Sequence, residues 1–182
     1  MKRVIKKTIQ RYLSLRGLTV DKLTDNDSFV SLIEKLHPYC TDKDLIRLGT
    51  TGDGGYLVPD DLEGIIACFS PGVGTLSAFE QDCLKFGMQV FLADKSVDGP
   101  SVKNDNFHFI KKFIGPITNE DFITMDDWVN VSLDDNSSDI LLQMDIESHE
   151  YFSIMNMSDS LINRFRIIII EFHQLQKLWN FR

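Results

Sequence analysis

The segment 65–94 constrains the fold of this chain more than any other part of the sequence. It opens with a short apolar run typical of a buried strand, which leads into a turn that contains Gly72 and Gly74. An amphipathic helix is predicted next, over residues 75–86, and a second apolar run then ends at the carboxylate of Asp94. A strand, a glycine turn, a helix and a strand in this order predict the first half of a nucleotide-binding α/β unit.

The glycine turn and the carboxylate that follows the second strand predict a site for an adenosine-like cofactor. Gly72 and Gly74 have no Cβ, so the backbone can turn tightly there and come close to a ligand. The helix behind the turn directs its free N–H groups at the same point. Asp94, at the end of the next strand, can accept hydrogen bonds from a ribose diol.

The spacing of the glycines distinguishes between cofactors. A dinucleotide fingerprint, G-x-G-x-x-G, needs a third glycine, and Ser77 occupies that position. The sequence also contains no G-x-x-x-x-G-K-[ST] phosphate loop. A short G-x-G followed by an acid at the end of the next strand suits S-adenosylmethionine, which has no pyrophosphate to bind.

Strand-like and helix-like runs alternate over residues 65–172 and predict an α/β fold with a doubly wound, mainly parallel, Rossmann-like sheet. The five predicted core strands are 65–69, 89–93, 107–113, 140–145 and 166–172. The last of them contains four consecutive isoleucines, as expected of a parallel strand that is buried on both faces.

The preceding part of the chain predicts a helical N-terminal extension, residues 1–46, ahead of an α/β domain at residues 47–182. Apolar spacing and stop signals predict three helices in and beside this extension, at 1–16, 29–36 and 42–47. Residues 25–28 supply candidates for the N-cap of the second of these helices.

Composition and charge exclude several classes of partner. The net charge is −8, yet the first 16 residues carry six basic and no acidic side chains, which leaves 13 basic and 27 acidic residues in the remainder. This acidic body argues against a nucleic-acid partner, because phosphate contacts need a positive surface. No apolar run approaches the roughly 20 residues of a membrane helix. The three cysteines are unpatterned, which predicts a reducing compartment and a cytoplasmic location.

Acids and histidines follow the last two predicted strands, where ligands bind in parallel α/β sheets. Asp145 could orient or deprotonate a substrate hydroxyl, and His173, with an ordinary pKa of about 6.5, is another candidate base. Capping of the next helix is the alternative role for Asp145 and Glu147. A divalent ion could also bind in this region, with Asp145, Glu147, His149, Glu171 and His173 as candidate ligands, but spacing alone identifies no metal site and none is predicted.

Four segments, in the same order, resemble the FkbM-type S-adenosylmethionine-dependent methyltransferases. Residues 52–56 resemble a D-G-G-[YW] loop, 71–80 the cofactor glycine loop, 142–150 a K-x-D-x-E-G-x-E segment, and 168–173 the final strand with its acid and histidine. The resemblance covers residues 47–175, and 145–150 is its most specific part. The chain departs from the family pattern at three positions: Ser70 replaces an acid, Gln143 a lysine and Ser148 a glycine.

The resemblance implies a class I methyltransferase that uses S-adenosyl-L-methionine to methylate a hydroxyl of a small molecule or glycan. Together with the strand-end argument, it leads us to expect catalytic roles for Asp145, Glu147 and His173. The expected cofactor-binding residues are Asp53, Gly54, Ser70, Pro71, Gly72, Val73, Gly74, Asp94 and Ile114. Asp53 and Gly54 would form a lid, although a simple glycine turn is the equal alternative.

A seven-stranded class I sheet would also need a C-terminal hairpin, for which this sequence has no counterpart. We therefore expect either a truncated chain or a cover for the apolar edge of the last strand, such as a partner, a second copy or the N-terminal region. Two other functions remain open from the sequence: an NAD(P)-dependent Rossmann oxidoreductase, and a degenerate domain that only binds a partner.

Overall fold

The computed structural model describes residues 24–74 and 76–175, together with positions 9, 12, 13, 15 and 16. The chain forms two compact units, one comprising Met1–Cys40 and Gln174–Arg182 and the other Thr41–His173. The second unit thus begins ahead of the boundary at residue 47 expected from the sequence. The helix predicted at 1–16 falls mostly outside the described residues.

The first unit contains helix α1, Asn26–Lys35. Asp25 is its N-cap, because its carboxylate accepts a hydrogen bond from the backbone N–H of Ser28 at 2.9 Å. Lys35 lies in the last turn, where a positive charge suits the helix dipole. The predicted helix and its cap are confirmed.

In its described residues, the second unit contains nine strands and four helices. The strands are β1 Leu45–Gly49, β2 Gly55–Pro59, β3 Ala67–Pro71, β4 Gln89–Ala93, β5 Phe107–Ile110, β6 Phe113–Ile114, β7 Phe122–Ile123, β8 Ile140–Met144 and β9 Phe165–Ile170. The helices are α2 Ala78–Lys85, α3 Met125–Ser132, α4 Glu150–Asn156 and α5 Asp159–Ile162.

Five of the strands form one parallel sheet with the order β5-β4-β3-β8-β9. The chain runs outward from β3 to β5 and then returns to β8 on the other side of β3, so the strand order reverses between β3 and β8. In such sheets the crevice at the reversal point is where ligands bind. The predicted α/β fold with a five-stranded parallel sheet is confirmed.

Helices cover both faces of this sheet. On one face, Phe69 stacks on Phe91 with ring centroids 4.8 Å apart and meets Trp128 of α3 edge-on at 5.0 Å. On the other face, Cys68 packs with Phe79 of α2 in a second buried cluster. Neighbouring residues of β3 therefore point into different cores, as the alternation of side chains along a strand requires.

The predicted helix at 42–47 is wrong. Residues 42–44 form no helix or strand, and 45–47 belong to β1, which pairs antiparallel with β2 in the register Leu45↔Pro59 to Gly49↔Gly55. Leu48 is buried while Leu45 is exposed, so the apolar residues follow the period of a strand with one face on the core. The run is too short for its periodicity to separate a strand from a helical turn.

Four of the five predicted core strands also differ from the structure in their bounds. β8 ends at Met144 instead of residue 145, and β9 covers Phe165–Ile170 instead of 166–172. β3 starts at Ala67 instead of residue 65 and continues through Ser70 and Pro71, which the sequence had placed in the turn. The predicted strand 107–113 is divided into β5 and β6, since the polar pair Lys111 and Lys112 separates them. The side-chain ammonium of Lys112 donates a hydrogen bond to the carbonyl of Asn119 at 2.7 Å.

Strand β9 is at the edge of the sheet, where it pairs with β8 alone among the described strands. Ile168, on this strand, is 43% exposed and Arg166 is exposed as well, so the expectation that the strand is buried on both faces is wrong. Arg166 lies on the same strand and binds the carboxylate of Asp139, while its guanidinium also donates to the carbonyl of Glu63 at 2.7 Å. A charged side chain on an edge strand limits pairing with other chains. The expectation that a partner or second copy covers this edge stays a prediction.

None of the described helices combines the length and the apolar composition needed to cross a membrane.

Gly72 joins the two halves of the sheet where the strand order reverses. Its φ is +92°, in the left-handed region that favours glycine, and its N–H donates to the carbonyl of Ala93 at 3.1 Å. The N–H of Asp145 in turn donates to the carbonyl of Pro71 at 3.3 Å. A Cβ on residue 72 would collide with the backbone carbonyl of Asp145, so only glycine fits.

Gly72→Ala is expected to destabilise the protein more than a left-handed φ alone explains. The φ costs about 1–2 kcal/mol for an L residue, and the collision adds about 1–3 kcal/mol of overpacking. Urea denaturation measures the free energy of unfolding. Gly87→Ala is the matched control, because φ is +81° there and no atom lies within 4 Å of the added Cβ. Equal losses in the two variants would contradict the close contact between Gly72 and Asp145.

Candidate functional site

A cavity of about 370 Å³ lies at the carboxyl ends of the central strands. Gly72, Asp94 and Asp145 contribute to its wall. A smaller recess of about 120 Å³ is also lined by Gly72 and Asp145, and it continues towards α2 and the loop before β2. The site therefore has two compartments that meet at the point where the strand order reverses.

Asp94 lines the larger compartment and also fixes the glycine turn. Its Oδ2 accepts a hydrogen bond from the N–H of Val73 at 3.0 Å, and its Oδ1 accepts from the N–H and hydroxyl of Ser96 at 2.7 and 2.6 Å. A carboxylate has about four acceptor positions, so one remains for a ligand hydroxyl. The ribose role of Asp94 stays a prediction, now limited to one free acceptor position.

An apolar wall faces Asp94 across the larger compartment. It consists of Phe113, Ile114 and Phe122, with the two phenyl rings 5.6 Å apart between centroids. Ile114 is buried and Phe113 is partly exposed. The sequence predicted Ile114 as a cofactor-binding residue, and the structure adds the two aromatic rings beside it.

Ser70 is fully buried and does not face either compartment directly. Its hydroxyl oxygen lies 2.7 Å from both Glu80 Oε1 and Gln143 Oε1, and these two side chains line the smaller recess. Because a hydroxyl has one proton, Ser70 can donate to only one of these oxygens. Burial raises the pKa of the Glu80 carboxyl. The hydrogen bond from Ser70 lowers this pKa, but burial is the larger effect. When Glu80 is protonated, it can donate to Ser70, which can then donate to Gln143, so that all three groups are satisfied.

The other predicted cofactor residues divide into two groups. Asp53, Gly54 and Gly74 line the smaller recess, as Gly72 also does. Pro71 and Val73 contribute backbone hydrogen bonds that hold the turn, to Asp145 and Asp94 respectively.

The three predicted catalytic residues, Asp145, Glu147 and His173, lie close together in the structure. The Nε2 atom of His173 lies 3.7 Å from Asp145 Oδ1 and 3.6 Å from Glu147 Oε2. Its Nδ1 donates to Glu150 Oε1 at 2.8 Å, and this hydrogen bond is the main reason that the pKa of His173 is raised. Burial and the nearby carboxylate of Glu171 raise the pKa of Asp145.

The turn that carries Glu147 has an unusual backbone. Glu147 and Ser148 are consecutive non-glycine residues with φ values of 53° and 80°. Such conformations cost about 1–3 kcal/mol each and concentrate at functional sites. The N–H of Ser148 donates to Glu150 Oε1 at 3.0 Å, so the same buried carboxylate holds both the turn and His173.

The sequence did not single out Glu80 and Glu150 as site residues. A signal for Glu80 was its place beside Phe79 in the apolar stripe of α2, where a carboxyl is unexpected. Glu150 is fully buried, but no pattern in the sequence shows that a helix-start glutamate faces inward.

No protein-family model, curated protein or solved structure matches this chain significantly. The FkbM-type resemblance therefore depends on the four sequence segments alone.

The buried Glu80 carboxyl is expected to make stability depend on pH. Because its folded-state pKa is raised above 4.5, its stabilising contribution is complete below about pH 4.5 and is lost as the pH rises through the raised pKa. Glu80→Gln, which stays neutral, should show a smaller fall in unfolding free energy between pH 4.5 and 8 than the unmodified protein. Denaturation curves across this range measure it, with the exposed Glu63→Gln as control. Parallel pH profiles for Glu80→Gln and the unmodified protein would contradict a raised pKa for the Glu80 carboxyl.

Proposed function

We propose that this protein is an S-adenosylmethionine-dependent methyltransferase, of the FkbM type, that methylates a hydroxyl of a small molecule or glycan. One observation carries the proposal: two compartments meet at Gly72 and Asp145, with the Asp94 carboxylate in one and the Glu80 carboxyl in the other. S-adenosylmethionine also has two polar ends, a nucleoside and an amino acid, on either side of its sulfonium.

The larger compartment suits the nucleoside. Its volume of about 370 Å³ falls in the range of small-molecule sites. The free acceptor position of Asp94 would bind a ribose hydroxyl, and the wall formed by Phe113, Ile114 and Phe122 would pack against the adenine. Aromatic and aliphatic walls bind planar rings through buried apolar area.

The smaller recess suits the amino-acid end. An ammonium group needs acceptors, and Glu80 and Gln143 supply oxygens there. Ser70 carries no charge where related enzymes have an acid, and the Glu80 carboxyl lies within hydrogen-bond distance of that same hydroxyl. A bound ammonium would favour the ionised form of Glu80. Glu80 on α2 would thus supply the acid that related enzymes carry at the position of Ser70 on β3.

Methyl transfer would take place at the junction, beside Asp145. The acceptor oxygen attacks the methyl carbon in line with the C–S bond, the bonding pair stays on sulfur as S-adenosylhomocysteine forms, and the hydroxyl proton passes to a nearby base or water. Asp145 can accept a hydrogen bond from the acceptor hydroxyl and align its oxygen with the methyl group. Positioning of this kind accounts for much of the rate in such displacements.

Binding of S-adenosylhomocysteine to the full chain, measured by titration calorimetry, tests this function. Asp94→Ala is expected to weaken binding at least about tenfold, which corresponds to about 1.4 kcal/mol. Asp98→Ala is the control, because this exposed acid on the loop after β4 pairs with Lys111. Circular dichroism verifies that both variants are folded.

Two results would contradict the proposal: no binding at millimolar ligand, or equal losses in Asp94→Ala and Asp98→Ala. NAD⁺ is not expected to bind, because the third glycine of its fingerprint is absent at Ser77. Binding of NAD⁺ without binding of S-adenosylhomocysteine would favour the oxidoreductase.

A further inference from the structure

Three side chains that follow β8 and β9 have the composition and spacing of divalent-cation ligands. Asp145, Glu147 and His173 each offer a ligand atom, and these atoms all lie within 4.8 Å of one another. Metal–ligand bonds of about 2.1 Å place two ligands of one ion about 3.0–4.2 Å apart. The distances from His173 Nε2 to Asp145 Oδ1, 3.7 Å, and to Glu147 Oε2, 3.6 Å, fall inside that interval.

In its neutral form, His173 is held in the tautomer that a metal ligand requires. The Nδ1–H then donates to the fully buried Glu150, and the lone pair of Nε2 lies on the side of the other two carboxylates. A carboxylate behind a ligating histidine fixes the ring and increases its basicity as a ligand. Sequence spacing could not reveal this arrangement, because Glu150 and His173 are brought together only by the fold.

The acids around His173 outnumber the positive charges near them. The Oε1 atom of the buried Glu150 accepts hydrogen bonds from the N–H groups of Ile146 and Ser148 and from His173, whereas its Oε2 atom has no hydrogen-bond partner among the described residues. A buried carboxylate is costly unless a positive charge or donors compensate it. The described lysines and arginines form their ion pairs with acids outside this group. Within the described part of the chain, His173 is therefore the one basic side chain paired with three acids, Asp145, Glu147 and Glu150.

We propose that Asp145, Glu147 and His173 bind a divalent cation, with Glu150 as the residue that orients the imidazole. Two carboxylates and one imidazole favour ions that accept both oxygen and nitrogen, such as Mn²⁺ or Zn²⁺, over Mg²⁺ and Ca²⁺. Glu147 can complete the coordination at little cost, because its side chain is 86% exposed and free to rotate. Three protein ligands leave positions open for water or substrate.

The location of the cation determines which class of methyl acceptor can bind. This inference rests on the proposed function. Asp145 belongs both to the ion site and to the junction of the two compartments. A cation there would bind the acceptor oxygen and favour loss of its proton. Open positions next to each other on the ion would select acceptors with two adjacent oxygens, such as vicinal diols.

Titration of the full chain with Mn²⁺ alone tests the site. Binding is measured by calorimetry and by the electron paramagnetic resonance signal of free Mn²⁺. We expect one Mn²⁺ per chain, with affinity at least tenfold lower in His173→Ala and in Asp145→Asn and unchanged in the control Asp105→Asn, an exposed acid on the loop before β5. Absence of Mn²⁺ and Zn²⁺ binding at millimolar concentration would overturn the site, as would an equal loss in Asp105→Asn.

A second measurement does not depend on the variants being folded. In the unmodified protein, Mn²⁺ should broaden the amide NMR signals of 145–148 and His173 first, and broadening centred elsewhere would overturn the site. Parallel titration with S-adenosylhomocysteine separates the two proposals. Cofactor binding without Mn²⁺ binding rejects the cation site alone, and Mn²⁺ binding without cofactor binding rejects the methyltransferase alone.

Discussion

The arrangement of the site depends on the contact between Gly72 and the backbone of Asp145. With no side chain at residue 72, the end of β3 lies directly against the end of β8, and the N–H of Asp145 donates a hydrogen bond to the carbonyl of Pro71 there. Any Cβ would force the strand ends apart. The glycine turn, the Asp94 carboxylate and the acids after β8 would then no longer surround a common space, so both compartments follow from this one contact.

The carboxyl groups are the second constraint on the site, and their surroundings differ. Asp94 is stabilised by three N–H and O–H donors, whereas Glu80 is buried beside neutral Ser70 and Gln143. A sulfonium cofactor and a divalent cation would each bring positive charge to these groups. The two proposals share Asp145 but otherwise use different side chains, which is why they can be tested separately.

Local patterns predicted the elements well where several signals agreed. β4 has the predicted bounds because apolar residues, a preceding glycine and a terminal acid coincide. Proximity of Asp145, Glu147 and His173 followed from the rule that parallel strands end at one edge of the sheet. The burial of Glu80 did not follow, because it arises only where α2 packs on β3 and the carboxyl meets Ser70. The short strand β1 was mistaken for a helix, because five residues cannot define a period.

A crystal structure of the protein with S-adenosylhomocysteine tests the central claim most directly. The account predicts the ribose within hydrogen-bond distance of Asp94, the adenine against Phe113 and Ile114, and the amino group beside Glu80, with the sulfur at the junction near Asp145. Ligand bound away from the two compartments, or bound there in the reverse orientation with the adenine beside Glu80, would contradict it.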